Sequence, residues 1–236
     1  MEKHYDPQFV ENLFDKMSSS YSRMNYITSF GFSERWRKQC VNEIELKDQK
    51  VIVDLLTGMG ECWKFIDKKA DKEAKIIGLD FSDKMLAQAK NNSTKFPKRN
   101  IQLLNENVFK NSIRESSADT VISSFGLKTF NEEQLEKLAI EINRILKSGG
   151  NFSLIDVSVP KNKILKLFYL FYLKFIIPIL GKLFLGNIAT YKMLGKYTTK
   201  FRNARNVEQI FKNQNFEVEY VEYFYGCASG IKGTKK

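Results

Sequence analysis

A strand that runs straight into a glycine turn and then a helix constrains this chain more than any other feature. In VIVDLLTGMGE, residues 51–61, an apolar run ends in Asp54 and turns through Gly58 and Gly60 into a helical pattern. Glycine has no Cβ, so the backbone can turn tightly there and let a ligand approach. The helix that follows offers unpaired N–H groups to negative charge. A second apolar run, KIIGLDFS, closes on Asp80, twenty residues beyond Gly60, a spacing that suits a ribose-binding carboxylate. The third glycine of a dinucleotide fingerprint would fall at Trp63, so a mononucleoside fits this turn better. A plain strand-to-helix turn is the alternative reading of the glycine pair.

The pattern repeats along the chain. Strand-like runs at 50–55, 76–80, 101–104, 120–124 and 151–157 alternate with helical spacings at 60–71, 83–92 and 132–147, and Ser82 and Asn131 stand where helix caps are needed. Repeated strand–helix–strand units predict an α/β fold with a parallel sheet and helices on both faces. Ligands of such sheets bind beyond the carboxyl ends of the strands, near the switch in strand order, which is where Gly58 and Asp80 fall. A helix at 204–213 and β-rich runs at 216–223 and 224–231 follow, expected to extend the sheet as a hairpin.

Two segments flank this frame. Residues 7–45 read as an aromatic helix pair, with Phe14, Tyr21, Tyr26 and Trp36 among the rings, and serve either as a lid or as packing on the sheet. After Pro160, ILKLFYLFYLKFIIPILGKLFLGN is the most apolar stretch. Lys166, Lys174 and Lys182 interrupt it and Pro178 breaks it, short of the roughly 18 to 20 apolar residues a bilayer span needs. Three readings stay open for it: a helical insertion covering a substrate, core packing, and contact with a membrane surface or a second copy of the chain.

Composition narrows the class. With 236 residues, 43% of them hydrophobic, and no linker or repeat, the whole of 1–236 is expected to form one domain. The N-terminus lacks the apolar core of a signal peptide, which points to the cytoplasm. Cys40, Cys62 and Cys227 are too widely spaced for a disulfide framework or a zinc cluster, and the single histidine, His4, gives no reason to expect His-based catalysis or a metal site. The net charge of +11 suits nucleic acid, anionic lipid or a solvated surface, with lysines spread along the chain.

YSRMNYITSFGFSERWRK, DLLTGMGE, LDFSDKML, Asn107-Val108, ISSFGLKTF, ILKSGGNFSLIDVSVP, FIIPILGKLF and YGCASGIKG stand in this order along the sequence. Each is weak alone. Together, in register, they resemble the ubiquinone and menaquinone biosynthesis C-methyltransferases, a family of class I S-adenosylmethionine-dependent enzymes. DLLTGMGE looks like that family's D-x-x-G-G-T-G-D loop, ISSFGLKTF like its I-S-F-G-L-R-N, and ILKSGGNFSLIDVSVP like its L-K-P-G-G and E-x-S-x-P.

The resemblance implies a Rossmann-like class I methyltransferase with a seven-stranded, mostly parallel sheet whose last strand is antiparallel. It implies an N-terminal helical lid at 1–46, a cofactor-binding core at 47–158, a helical substrate-covering insertion after strand 5 at 159–203, and a C-terminal helix and strand pair at 204–236. S-adenosyl-L-methionine is then the cofactor and S-adenosyl-L-homocysteine its product, with no metal. Carried over position by position, Asp80 binds the ribose hydroxyls with Phe81 beside it, and Gly58, Met59 and Gly60 line the methionine and ribose above Asp54. Asn107 and Val108 flank adenine, and Ser124 faces the cofactor near the transferable methyl. Tyr21 stands at the family's general-base tyrosine and Lys128 at its orienting arginine, making these two the candidate catalytic residues.

Departures from the family pattern gather on the substrate side: Lys128 for arginine, Thr129 for asparagine, Ser22 for aspartate, Asp156 for glutamate and Ile231 for histidine, with Thr57 and Met59 in the loop. Methyl transfer from a sulfonium is an in-line displacement that needs alignment and exclusion of water. For a phenol or quinol, polarising the hydroxyl pushes electron density onto the ring carbon. The expected reaction is therefore methylation of an aromatic, lipophilic phenol or quinol at ring carbon, in quinone or pigment biosynthesis. The standard demethylmenaquinol or ubiquinol step, and a cofactor-binding protein without turnover, are the alternatives. SSFG lacks the Pro-Pro-aromatic signature of enzymes that methylate base nitrogens, so no nucleic acid partner is expected; a peripheral membrane contact and a homodimer stay open.

Overall fold

The computed structural model describes residues 3–18, 21–180 and 188–236. Three helices come first, α1 (Pro7–Met17), α2 (Tyr21–Thr28) and α3 (Phe32–Asn42). The alternating part follows as β1 (Val51–Leu55), α4 (Trp63–Lys69), β2 (Lys75–Asp80), α5 (Asp83–Ser93), β3 (Asn100–Asn105), β4 (Ala118–Ser124), α6 (Glu132–Ile145) and β5 (Leu146–Val157). Then come α7 (Lys163–Phe171), continued by a π-helical turn at Tyr172–Ile176, α8 (Ile188–Phe201), α9 (Arg205–Lys212), β6 (Phe216–Tyr223) and β7 (Ala228–Lys235).

The seven strands lie in the order β3-β2-β1-β4-β5-β7-β6. Neighbours are parallel except at β7, which runs antiparallel to β5 on one side and to β6 on the other. From β1 the chain moves outward through β2 and β3, then returns to β4 on the other edge of β1. That reversal leaves a crevice beyond the tips of β1 and β4. Side chains alternate across the sheet, so Val53 and Leu55 of β1 enter one apolar cluster and Ile52 the other, and Val121 and Ile122 of β4 divide likewise. Leu138 and Ile142 of α6 with Phe211 of α9 close the first face, and Cys40 of α3 with Trp63 and Ile66 of α4 the second. Truncating one of these buried leucines or isoleucines to alanine costs about 2–5 kcal/mol.

Four sequence expectations shift for local reasons. Residues 7–45 form three helices instead of a pair, because Phe30 and Gly31, at φ +50° and +78°, turn the chain between α2 and α3. α6 stops at Ile145, where β5 already begins, with Gly149 at φ +75° interrupting that strand's first part. The last strand starts at Ala228, because Phe224, Tyr225 and Gly226 all take positive φ and form the hairpin connection. Pro178 does not end its helix: the carbonyl of Lys174, which the ring would strike in a regular helix, lies inside the π-turn, and helical backbone continues to 180. The end of the apolar stretch, residues 181–187, lies outside the described residues. Among the described residues no helix is long and apolar enough to cross a membrane.

Candidate active site

The loop after β1 is tied to the tip of β2. The Thr57 N–H donates to the Leu79 carbonyl at 3.0 Å, and the Gly58 N–H to Asp80 Oδ2 at 2.8 Å. Gly58 and Gly60 stand at φ +57° and +75°, and a Cβ on Gly60 would lie 2.4 Å from Cε3 of Trp63. Only glycine lets the loop close over that buried indole. The position a third fingerprint glycine would take is thus filled by the largest fully buried side chain among the described residues.

Asp80 is held from the other side as well, where Oδ1 accepts the Ser82 N–H at 3.0 Å. Burial pushes its carboxyl up to about 6, against the pull of the Ser82 and Gly58 N–H groups. A carboxylate has about four acceptor sites, so lone-pair capacity is left for a hydroxyl donor. Asp80 opens onto a crevice that Gly58, Phe81, Asn107, Val108, Ser124 and Tyr21 also line. Val10 and Phe14 of α1 line it as well. That helix is fastened to the sheet side by Ser82 Oγ, which donates to Asp15 Oδ1 at 2.6 Å, while Gln134 Nε2 donates to the Tyr5 carbonyl at 3.0 Å. A carboxylate at the strand tip beside the apolar side chains of Phe81 and Val108 fits a nucleoside, sugar on the acid and base in the slot.

Three of the residues expected here do not reach the crevice wall. Asp54 lies beneath the loop, where it accepts the Thr57 hydroxyl, and burial pushes its carboxyl up to about 7. Thr57, not Asp54, faces the crevice. Met59 packs with Met17, Tyr21 and Met85 in an apolar cluster under α1, which suits a thioether. Gly60 supports the loop over Trp63.

A second, apolar cavity adjoins the crevice, and Tyr21 and Phe125 belong to the walls of both. Phe125 follows β4 at φ +68°, and Leu56 follows β1 at φ +56°, so both strand tips end in left-handed turns. Trp36, Leu165, Tyr169 and Leu194 enclose the cavity, and Lys128 also lines it. Lys128 Nζ donates to Asp156 Oδ1 at 2.8 Å and to the Phe125 carbonyl at 2.6 Å, while its backbone N–H donates to Asp156 Oδ2 at 2.8 Å. Two of the three ammonium donors are thereby used.

Arg37 and Glu61 complete the crevice and were not singled out from sequence. Arg37 Nη2 donates to Glu61 Oε1 at 3.0 Å, its guanidinium carbon stands 4.7 Å from the Phe125 ring centroid, and its buried Nε has no partner among the described residues. Glu61 also accepts the Ser22 hydroxyl at 3.1 Å and the Met59 N–H at 3.2 Å. A signal was available: Ser33, Trp36, Arg37 and Cys40 share the buried stripe of α3, which puts a cation on an apolar face. Burial raises the Tyr21 hydroxyl above its ordinary range, Glu61 adds to this, and Arg37 pulls the other way.

A seven-stranded sheet of this order, with a crevice at its switch point, is the architecture of an S-adenosylmethionine-dependent methyltransferase. The fold is shared with the S-adenosylmethionine-dependent methyltransferase of Thermotoga maritima (TM-score 0.63, 20% identity, 95% of this chain and 99% of that one) and with that of Aquifex aeolicus (TM-score 0.60, 16% identity, 85% and 89%). The chain belongs to the ubiE/COQ5 methyltransferase family, whose family model matches residues 1–235. It is 32% identical over 228 residues to the demethylmenaquinone methyltransferase of Lactococcus lactis subsp. lactis (strain IL1403), an alignment covering 96% of this chain and 89% of that relative.

Proposed function

We propose that the enzyme methylates a ring carbon of a lipophilic quinol, of the demethylmenaquinol kind for which its relatives are named. The observation that carries this reading is the meeting of the two cavities at Tyr21 and Phe125, which would set an apolar aromatic acceptor against the methyl end of a nucleoside held on Asp80. When bound, the cofactor supplies an electrophilic methyl on a sulfonium. Asp80 accepts the ribose hydroxyls, Phe81 and Val108 hold the base, and Ser124 borders the transfer region. Arg37 takes the negatively charged end of the cofactor's amino-acid part, a role that its unpartnered Nε and near-complete burial support.

On the acceptor side Tyr21 stays a neutral phenol and works by hydrogen bonding to the acceptor oxygen. The neighbouring Arg37 cation favours negative charge developing there. Lys128 offers its remaining N–H toward the same cavity while Asp156 balances its charge. The apolar walls exclude water, which would otherwise disperse both effects.

The test is incubation of the purified protein with S-adenosylmethionine and a short-chain demethylmenaquinol, with products identified by mass spectrometry and the methyl position by NMR. A C-methylated ring is expected. Cofactor binding without product across quinols and phenols would replace this reading with a binding protein, and methylation confined to non-quinone phenols would replace it with a divergent specificity.

A further inference from the structure

We propose that the outer face of α7 and the adjoining rim of the apolar cavity dock on an anionic phospholipid bilayer, so that the acceptor passes from the membrane into the cavity. The passage step rests on the lipophilic acceptor proposed above; the docking step does not. From 163 to 180 the backbone is helical or π-helical, and Ile164, Leu167, Phe168, Phe171, Phe175 and Ile179 are each between 55% and 71% exposed. They recur at intervals of one, three and four residues and so form one stripe. On the inward side of the same segment, Leu165, Tyr169, Tyr172, Leu173 and Ile177 line the cavity. A surface helix that is apolar on both sides leaves its outer side to be covered by something else.

The stripe is continuous with the cavity. Phe30, Phe168 and Phe224 belong to the cavity wall and are at the same time 81%, 67% and 47% exposed, so the opening is rimmed by solvent-facing aromatic rings. Charge identifies the occupant. Lysines are spread over the whole chain but acidic residues are not: between Asp156 and Glu208 the sequence has eight lysines, two arginines and no aspartate or glutamate. This segment therefore carries nearly all of the +11 net charge, and Lys163, Lys166 and Lys174 are exposed beside the apolar stripe. Two such faces repel each other, which disfavours a second copy of the chain. An apolar stripe flanked by lysines matches the depth and charge of an anionic lipid surface.

The experiment is flotation of the full chain with vesicles of phosphatidylcholine, alone or mixed with phosphatidylglycerol, with no cofactor or quinol present. The wild type is expected to float with the anionic vesicles, to stay behind with the neutral ones, and to be released by about 0.5 M salt. The Leu167→Glu/Phe171→Glu variant should partition at least about tenfold less. Replacing Lys163, Lys166 and Lys174 by serine should weaken partition by about a hundredfold, at roughly fivefold per lysine. None of these five residues lines the cavity. Cofactor binding by calorimetry and methylation of a water-soluble short-chain quinol should therefore be unchanged, while methylation of a vesicle-embedded long-chain quinol falls with binding. The proposal is overturned if the wild type ignores anionic vesicles, if the glutamate variant floats as well as the wild type, or if sedimentation shows a dimer that this variant dissociates. Flotation as expected with no methylation of either quinol would leave docking standing and remove the proposed reaction.

Discussion

Lys128 Nζ lies 2.8 Å from Asp156 Oδ1, with the two side chains 5% and 0% exposed. Two departures from the family pattern that look independent in sequence, lysine for arginine and aspartate for glutamate, are thus a single ion pair linking the turn after β4 to the end of β5. Asp156 Oδ1 also accepts the Val157 N–H, at 2.6 Å, so the carboxylate is solvated by protein donors throughout. A buried pair of this kind is held by mutual compensation, and removing one member strands the other.

Lys128→Ala should therefore destabilise the fold by about 3–5 kcal/mol, lowering the melting temperature by roughly 10 °C for a chain of this size. Its loss of turnover would reflect the fold as much as the chemistry. Lys128→Met combined with Asp156→Leu should recover most of the stability without recovering activity. Thermal denaturation checks both, and an unchanged melting temperature in Lys128→Ala would show that the pair does not anchor the turn.

Cofactor affinity should depend on pH through Asp80. Its carboxyl is raised to about 6, chiefly by burial, so in the free protein the acceptor form is lost as pH falls through that value. Because the unfolded value is lower, near 3.9, the group's contribution to folding has the opposite sense: it is fully present below the unfolded value and lost as pH rises toward about 6. Calorimetry should find S-adenosylmethionine binding about tenfold weaker at pH 5 than at pH 8. Asp80→Asn should bind weakly at both pH values and lose most of that dependence. Equal affinity of the wild type at the two pH values would remove Asp80 from the site.

Gly60 and Gly149 separate backbone conformation from packing, since both stand at φ +75°. A Cβ at Gly149 meets nothing within 4 Å, whereas one at Gly60 meets the Trp63 ring at 2.4 Å. Gly149→Ala should cost only the left-handed penalty, about 1–2 kcal/mol. Gly60→Ala adds the overpacking of a closed core, about 1–3 kcal/mol more, and should quench or shift Trp63 fluorescence. Matching melting temperatures for the two variants would show that the loop can move off the indole.

What sequence alone made legible is what is local or periodic. The Gly58 turn and the Asp80 tip lie together at the switch in strand order, joined by one hydrogen bond, and the strand–helix alternation is realised as the parallel part of the sheet. Aromatic residues misled where the backbone conformation mattered more than hydrophobicity. Phe224 and Tyr225 look like strand residues but take positive φ, forming the hairpin connection between β6 and β7. Arg37 and Glu61 were illegible as a pair because their contact depends on how α3 packs against the loop after β1, which no local pattern records. The second cavity is assembled from α2, α3, α7, α8 and the β4 turn, so its shape exists only once those segments have packed together.

Arg37 offers the sharpest test of how the cofactor would be held. Glu61 takes one end of the guanidinium and the Phe125 ring lies under it, while Nε is buried without a partner among the described residues, a costly arrangement unless a ligand completes it. A carboxylate is the natural completion, since guanidinium donors match its geometry. Hydrogen bonds to a charged group contribute about 1.5–3 kcal/mol, so Arg37→Gln should weaken S-adenosylmethionine binding by roughly ten- to a hundredfold. Arg37→Lys should recover only part of this, because an ammonium lacks the planar fork. Methylthioadenosine carries the same nucleoside but no amino-acid group, and its affinity should be almost unaffected by either change. Calorimetry with both ligands separates the cases: equal losses would mean that Arg37 merely shapes the crevice through Glu61, and no loss with S-adenosylmethionine would place the carboxylate elsewhere.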